Sequence, residues 1–268
     1  MIARKTWREV RGMTLTTFLI LEFLLVLAVL YWPTLADGLK QRVAVLKMLA
    51  PGEFMKRLVD TWGKHGFAAY MATQQFFKGV NIVSIAAAVL IGTGAIAGER
   101  ETGTLEFLLS RPVSRARMLW SKFWVLAACV VVPIFASSLT IPLMENLIDA
   151  KFIDSPMQVR YLLHASWHAS LFCLLFLTFG LCLSCFIRTQ VHVAFAIGGF
   201  IVVEVGLYFV QEIRVASIFM LSDHDVYWPI IAGNVHFWRF FWSTEIWLIA
   251  ASALCYGIAA LRFRRMDL

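Results

Sequence analysis

Six apolar runs of about 20 residues, separated by charged segments, leave this chain few ways to fold: Thr14–Trp32, Gly79–Ala97, Phe123–Leu143, Trp167–Ile187, Val191–Val210 and Phe240–Leu261. A helix needs about 20 residues to cross ~30 Å of hydrocarbon. Lipid offers no partner to the backbone, so a segment of this kind crosses it only as a helix that satisfies its own peptide groups. With 60% hydrophobic and only 15% charged residues, the composition lies outside the soluble range. The predicted fold is an all-α integral membrane protein, one permease-sized domain over residues 1–268 with six transmembrane helices.

An even number of spans puts both termini on one side. With the termini inside, the inner segments hold 13 of the 24 Lys and Arg although they are about half as long as the outer ones. The positive-inside bias therefore favours cytosolic termini and a multi-pass protein of the cytoplasmic (inner) membrane. Outer loops are expected at 33–78 and 211–239, and the first of these is the exception to the bias, with seven Lys and Arg. Within it, Phe54, Leu58 and Trp62, flanked by Met55 and Val59, form one face of an amphipathic helix expected on the outer leaflet.

The segment between the second and third runs, residues 98–122, is the most specific stretch. Its acids Glu99, Glu101 and Glu106 interleave with Leu105, Phe107, Leu108 and Leu109, and it carries Arg100, Arg111, Arg115, Arg117 and Lys122. This pattern predicts a short two-faced helix starting near Thr104. Pro112 is placed to end it, and Ser114 to cap the next. The string Glu-Arg-Glu-x-Gly-Thr-Leu-Glu followed by Leu-Leu-Ser-Arg-Pro-Val-Ser-Arg, from Glu99 to Arg115, resembles the signature loop of ABC-2 type transporter permeases, the transmembrane subunits of type V ABC exporters. The number and spacing of the runs extend the resemblance over most of the chain.

That resemblance implies an exporter permease working with a separate ABC ATPase subunit and a second permease chain, as a homo- or heterodimer, with room for a periplasmic or accessory subunit. Glu99, Glu101, Thr104, Leu105, Glu106 and Arg115 are then the residues expected to couple to the ATPase. It also implies that residues 1–13 form an interfacial elbow helix. The residues agree, since Ile2, Ala3, Thr6, Trp7, Val10 and Met13 share one arc of a helical wheel and Arg4, Lys5, Arg8, Glu9 and Arg11 the other. No GxxxxGK[ST], HExxH or GxSxG motif occurs, so no catalysis, metal or cofactor is expected on this chain, with ATP and Mg assigned to the partner ATPase. A nucleic-acid partner is not expected.

Glu22 lies inside the first run and Glu204 inside the fifth. An ionised carboxylate at the centre of a membrane helix costs about 2.5–3.5 kcal/mol when it faces lipid. Read as residues alone, they either hydrogen-bond neighbouring helices or line a permeation path; the resemblance places them beside the translocation route. If no ATPase partners the chain, the same two residues suit an ion-coupled carrier or channel. His164 and His168, four apart, are a weak metal pair better explained as an interfacial belt around Trp167, and Asp223, His224 and Asp225 read as a solvated turn. The five cysteines lie in apolar runs and imply no disulfide. Gly94 and Gly98 are expected to permit close helix packing.

Overall fold

The computed structural model describes residues 2–49, 52–109, 114–153 and 157–266. Among these the regular structure is helical throughout, and six helices are long and apolar enough to cross a membrane. The first is α1, Ile2–Leu49, which runs unbroken through Pro33. The amphipathic residues 2–13, expected as a separate elbow, are its opening turns. No proline stands between Trp7 and Trp32, and the hydroxyls of Thr6, Thr14 and Thr17 donate to carbonyls one turn back, within the helix itself.

The second span is much longer than its apolar core. It comprises α2 (Gly52–Met71), which breaks at Gly66, a π-wound stretch at Ala72–Ser84, α3 (Ile85–Thr93), a second π-wound stretch at Gly94–Gly98 and α4 (Glu99–Glu101). The segment expected as an outer loop at 33–78 is therefore helical on both sides of residues 50 and 51. The spacing of Leu58, Val59 and Trp62 does mark the buried face of α2. Gly103, at φ 70°, then reverses the chain in the left-handed region open to glycine. A six-residue helix, α5 (Thr104–Leu109), follows.

The third span is α6 (Arg115–Glu145), whose first turn is capped by the Ser114 hydroxyl accepting from the Arg117 amide at 3.3 Å. Pro112, expected to stop the preceding helix, lies outside the described residues. The fourth and fifth spans are α7 (Val159–Phe186) and α8 (Gln190–Phe209). Two 3₁₀ turns and α9 (His224–Ile231) lead to the sixth span, built from α10 (Phe237–Phe240), a π-wound turn at Phe241–Glu245 and α11 (Ile246–Arg264).

At the centre is α7, packed on α3, α6 and α11. Its contact with α3 is backbone on backbone, since a Cβ built on Gly92 would stand 2.8 Å from the Leu177 carbonyl oxygen, and Gly180 faces Gly92 from the other side. The expectation for Gly94 and Gly98 shifts accordingly: these two lie under the Gln190 side chain, and Gly92 is where the helices touch. Apolar rows on α1 (Leu19, Phe23, Leu30) and α8 (Phe195, Val202) remain exposed, as a membrane-facing surface requires.

The segment 211–239, expected as an outer loop, is less superficial than its aromatic residues suggested. Phe219 and Tyr227 are buried, Tyr227 stacking on Phe76 at 5.2 Å, whereas Trp238 stays exposed. The segment folds back between the spans because its polar groups find partners there. The Ser222 hydroxyl donates to Asn81 at 2.7 Å, and the Asn81 amide returns a bond to the Ser222 carbonyl at 2.9 Å.

Candidate functional site

The charged segment after the second span is anchored from below by one carboxylate. Glu99 is 7% exposed and pairs with the Lys122 ammonium of α6 and, at 3.2 Å, with Lys5 of α1. Lys122, itself 3% exposed, also donates to the Ala95 carbonyl at 2.8 Å, inside the π-wound stretch Gly94–Gly98. Lys5 reaches Glu9 on its own helix at 3.5 Å. Three spans are thus tied at one end by a single acid between two lysines. Burying the group unpaired would be costly, whereas here each charge has an opposite neighbour.

The other residues expected to couple divide by exposure. Leu105 is buried and holds α5 against the bundle, while Glu101, Thr104 and Glu106 stand in the open. Glu101 accepts from the Gln190 amide at 3.2 Å, placing a negative charge on the first turn of α8, where the helix dipole favours it. The Thr104 hydroxyl lies 3.0 Å from that of Thr102. Arg115 turns away from solvent: its guanidinium donates to the carbonyls of Phe263 (3.4 Å), Arg264 (3.3 Å) and Met266, at the carboxyl end of α11. Of the six expected residues, three brace span ends and three present an exposed face.

Glu22 and Glu204 are not brought together. Glu22 is half-buried on α1 with the Thr140 hydroxyl of α6 3.1 Å from both carboxylate oxygens. Glu204 is buried and accepts from the Ile218 amide at 2.9 Å, capping the 3₁₀ turn that begins there, while its own carbonyl takes the Ser217 hydroxyl. Its geometry is that of a brace.

Two polar groups were not visible in the sequence as such. Asp223, read as part of a solvated turn, is 1% exposed. It takes the Tyr208 hydroxyl at 2.7 Å, pairs with Arg214, and lies 3.5 Å from Arg57 of α2; Arg57 also pairs with Asp225 at 2.9 Å. The two ring nitrogens of His224 face Asp223 and Asp225 at 3.1 and 2.9 Å. Burial raises the Asp223 carboxyl, but the hydrogen bond and charge of His224, with Tyr208 and Arg214, outweigh it and hold the group below the usual carboxylate range. Burial lowers His224, yet its two aspartates outweigh that and raise it. This trio has the donor types of a cation site, but its carboxylates are already met by the guanidinium groups of Arg57 and Arg214 and by the His224 ring.

The second group centres on Glu245, an acid in the sixth apolar run that the sequence reading passed over. It is fully buried, 3.4 Å from His164 and 3.6 Å from His168, and accepts from the Trp167 indole at 3.1 Å. The other His168 nitrogen is 2.7 Å from the Leu221 carbonyl. A carbonyl only accepts, so that nitrogen carries hydrogen. The two histidines therefore belong to a polar knot inside the bundle instead of an interfacial belt. Their spacing was legible; the acid opposite could have been found from its presence inside the sixth apolar run.

A search of the curated proteins found no match to this chain. A family model described as ABC-2 family transporter protein matches residues 1–226. With six membrane-spanning helices and the charged segment at 98–122, the chain belongs to the ABC-2 transporter family and is a membrane permease component of an ABC transporter.

Proposed function

We propose that this permease works as an exporter in the cytoplasmic membrane with both termini cytosolic, as one of two permease chains driven by ATPase subunits that dock on residues 98–122. The observation that carries this reading is the pairing of Glu99 with Lys5 and Lys122, which joins an exposed charged segment to the ends of three spans. Force applied to Glu101, Thr104 and Glu106 passes through Leu105 and Glu99 into α1 and α6, and through Arg115 into α11. Rigid-body displacement of packed helices is an ordinary way for such a signal to reach a permeation path. Glu22, whose hydrogen-bond partner is the Thr140 hydroxyl, is assigned to that path, and Glu204 to bracing the outer turn. The energy source is ATP hydrolysed on the partner.

The test is charge reversal of the exposed acids, Glu101→Arg with Glu106→Arg, in a strain expressing the permease and its ATPase. Loss of ATP-driven transport and of ATPase co-purification, with membrane insertion intact, supports docking on this segment. Undiminished transport removes these residues from coupling.

A further inference from the structure

At the same end of the bundle, four arginines surround a cavity of about 430 Å³. Arg100 comes from the end of the second span, Arg188 from the turn between α7 and α8, and Arg262 and Arg265 from the end of α11. Glu106 of α5 contributes the one carboxylate to its wall. Among the described residues no acid forms an ion pair with any of the four: Arg100 donates to the thioether of Met266, and Arg262 lies over the Phe186 ring, 5.4 Å from its centroid. Phe186 ends α7 and is 50% exposed, so one wall of the cavity is a half-exposed aromatic ring.

Four guanidinium groups round one space, with the single Glu106 carboxylate in the wall, leave an excess of positive charge that attracts an anion. Guanidinium is the side chain best shaped for phosphate, because its planar fork binds two oxygens at once. The position matters as well, since these residues sit where apolar spans end. Basic pockets between helices at that level suit lipid headgroups. We propose that this cavity binds the phosphate of an anionic phospholipid, with the headgroup among Arg100, Arg188, Arg262 and Arg265 and an acyl chain along Phe186. Because Glu106 shares the wall, the lipid and α5 are electrostatically linked: a bound phosphate repels the Glu106 carboxylate and biases the segment toward leaving the cavity. The proposal stands on the arginines and does not require that the segment dock an ATPase.

Native mass spectrometry of the purified chain with added phosphatidylglycerol or phosphatidylcholine tests it. The expected result is retention of phosphatidylglycerol over phosphatidylcholine. Arg188→Gln and Arg262→Gln should each weaken that retention about fivefold, the loss expected for one cation near an anionic headgroup. Glu106→Gln should strengthen it. The charge-keeping Arg262→Lys should hold phosphatidylglycerol better than Arg262→Gln, which separates lost charge from lost folding. Displacement of the lipid by inorganic phosphate would make free phosphate the ligand and overturn the lipid assignment. Equal retention of the two lipids, or retention unchanged by the arginine substitutions, overturns the proposal outright. If the arginine variants lose only the co-purifying ATPase, the cavity belongs to a protein contact instead.

Discussion

Each end of the bundle has a buried carboxylate set between two cations, Glu99 with Lys5 and Lys122 at one end and Asp223 with Arg57 and Arg214 at the other. The chemistry is alike, but the surroundings differ. Asp223 is enclosed by groups that also hold one another, among them Tyr208, His224 and Asp225, so its network closes on itself. Glu99 is continuous with an exposed segment whose neighbouring acids, Glu101 and Glu106, lie in the open. One knot fastens the turn at 214–224 against the spans, and the other fastens the spans to an exposed segment. A buried ion pair is weak evidence for net stability. What distinguishes these two is the chain segment each one controls.

If the Asp223 knot is the tighter fastening, Asp223→Asn should have the largest effect on folding, because it takes the carboxylate from Arg214 and leaves Arg57 with Asp225 alone. A loss of about 3–5 kcal/mol is expected for breaking a buried pair by removing one partner, read as a fall in the midpoint of thermal unfolding in detergent. Glu99→Gln should cost about 3 kcal/mol by the same reasoning, with Lys122 left unpaired. Adding Lys122→Met to Glu99→Gln should restore part of the stability while leaving transport impaired. Recovery of transport in that double variant would show that the Glu99 knot serves folding alone and erase the contrast between the ends.

Acidity sharpens the comparison. Asp223 is held below its ordinary value of about 3.9, so its contribution is complete above that pH and is lost as pH falls further. His224 is held above its ordinary value of about 6.5, so its contribution is complete below that pH and is lost as pH rises through the raised value. The Asp223 knot should therefore be firmest between about pH 4 and 6.5, and Asp223→Asn should flatten both limbs of the stability profile. An unchanged profile in that variant would assign the pH dependence elsewhere. Away from both knots, Gly92→Ala forces a methyl against the Leu177 carbonyl and should cost about 1–3 kcal/mol. The smallest effect is expected of Thr140→Val, which removes the hydroxyl beside Glu22 and should change stability by about 1 kcal/mol.

The six apolar runs, the helix beginning at Thr104 and the Ser114 cap could all be read from local pattern, since length, periodicity and capping act over a few residues. The ends of α1 and α2 could not. Trp32 and Pro33 look like the close of a span, yet no local rule forbids a helix from continuing through a single proline when tertiary contacts hold it, as the Trp32 indole does by donating to the Phe152 carbonyl at 2.8 Å. The knots were hidden for another reason. Asp223 and Arg57 are 166 positions apart, and Lys5 and Glu99 are 94 apart. Charge pattern along the chain says that such residues want partners but not which ones they find. Glu245 shows the opposite case, an acid inside an apolar run whose presence was itself the signal.

The Ala95 carbonyl accepts the Lys122 ammonium within a stretch where the backbone departs from α winding. Irregular backbone at the edge of a membrane survives only where a neighbour supplies the bonds that winding gives up. The amides of Gly94–Gly98 should then exchange hydrogen with water as one cooperative unit with Lys5, Glu99 and Lys122, and not with the rest of the second span. In that respect the last turns of the span belong to the charged segment rather than to the membrane helix that leads into them.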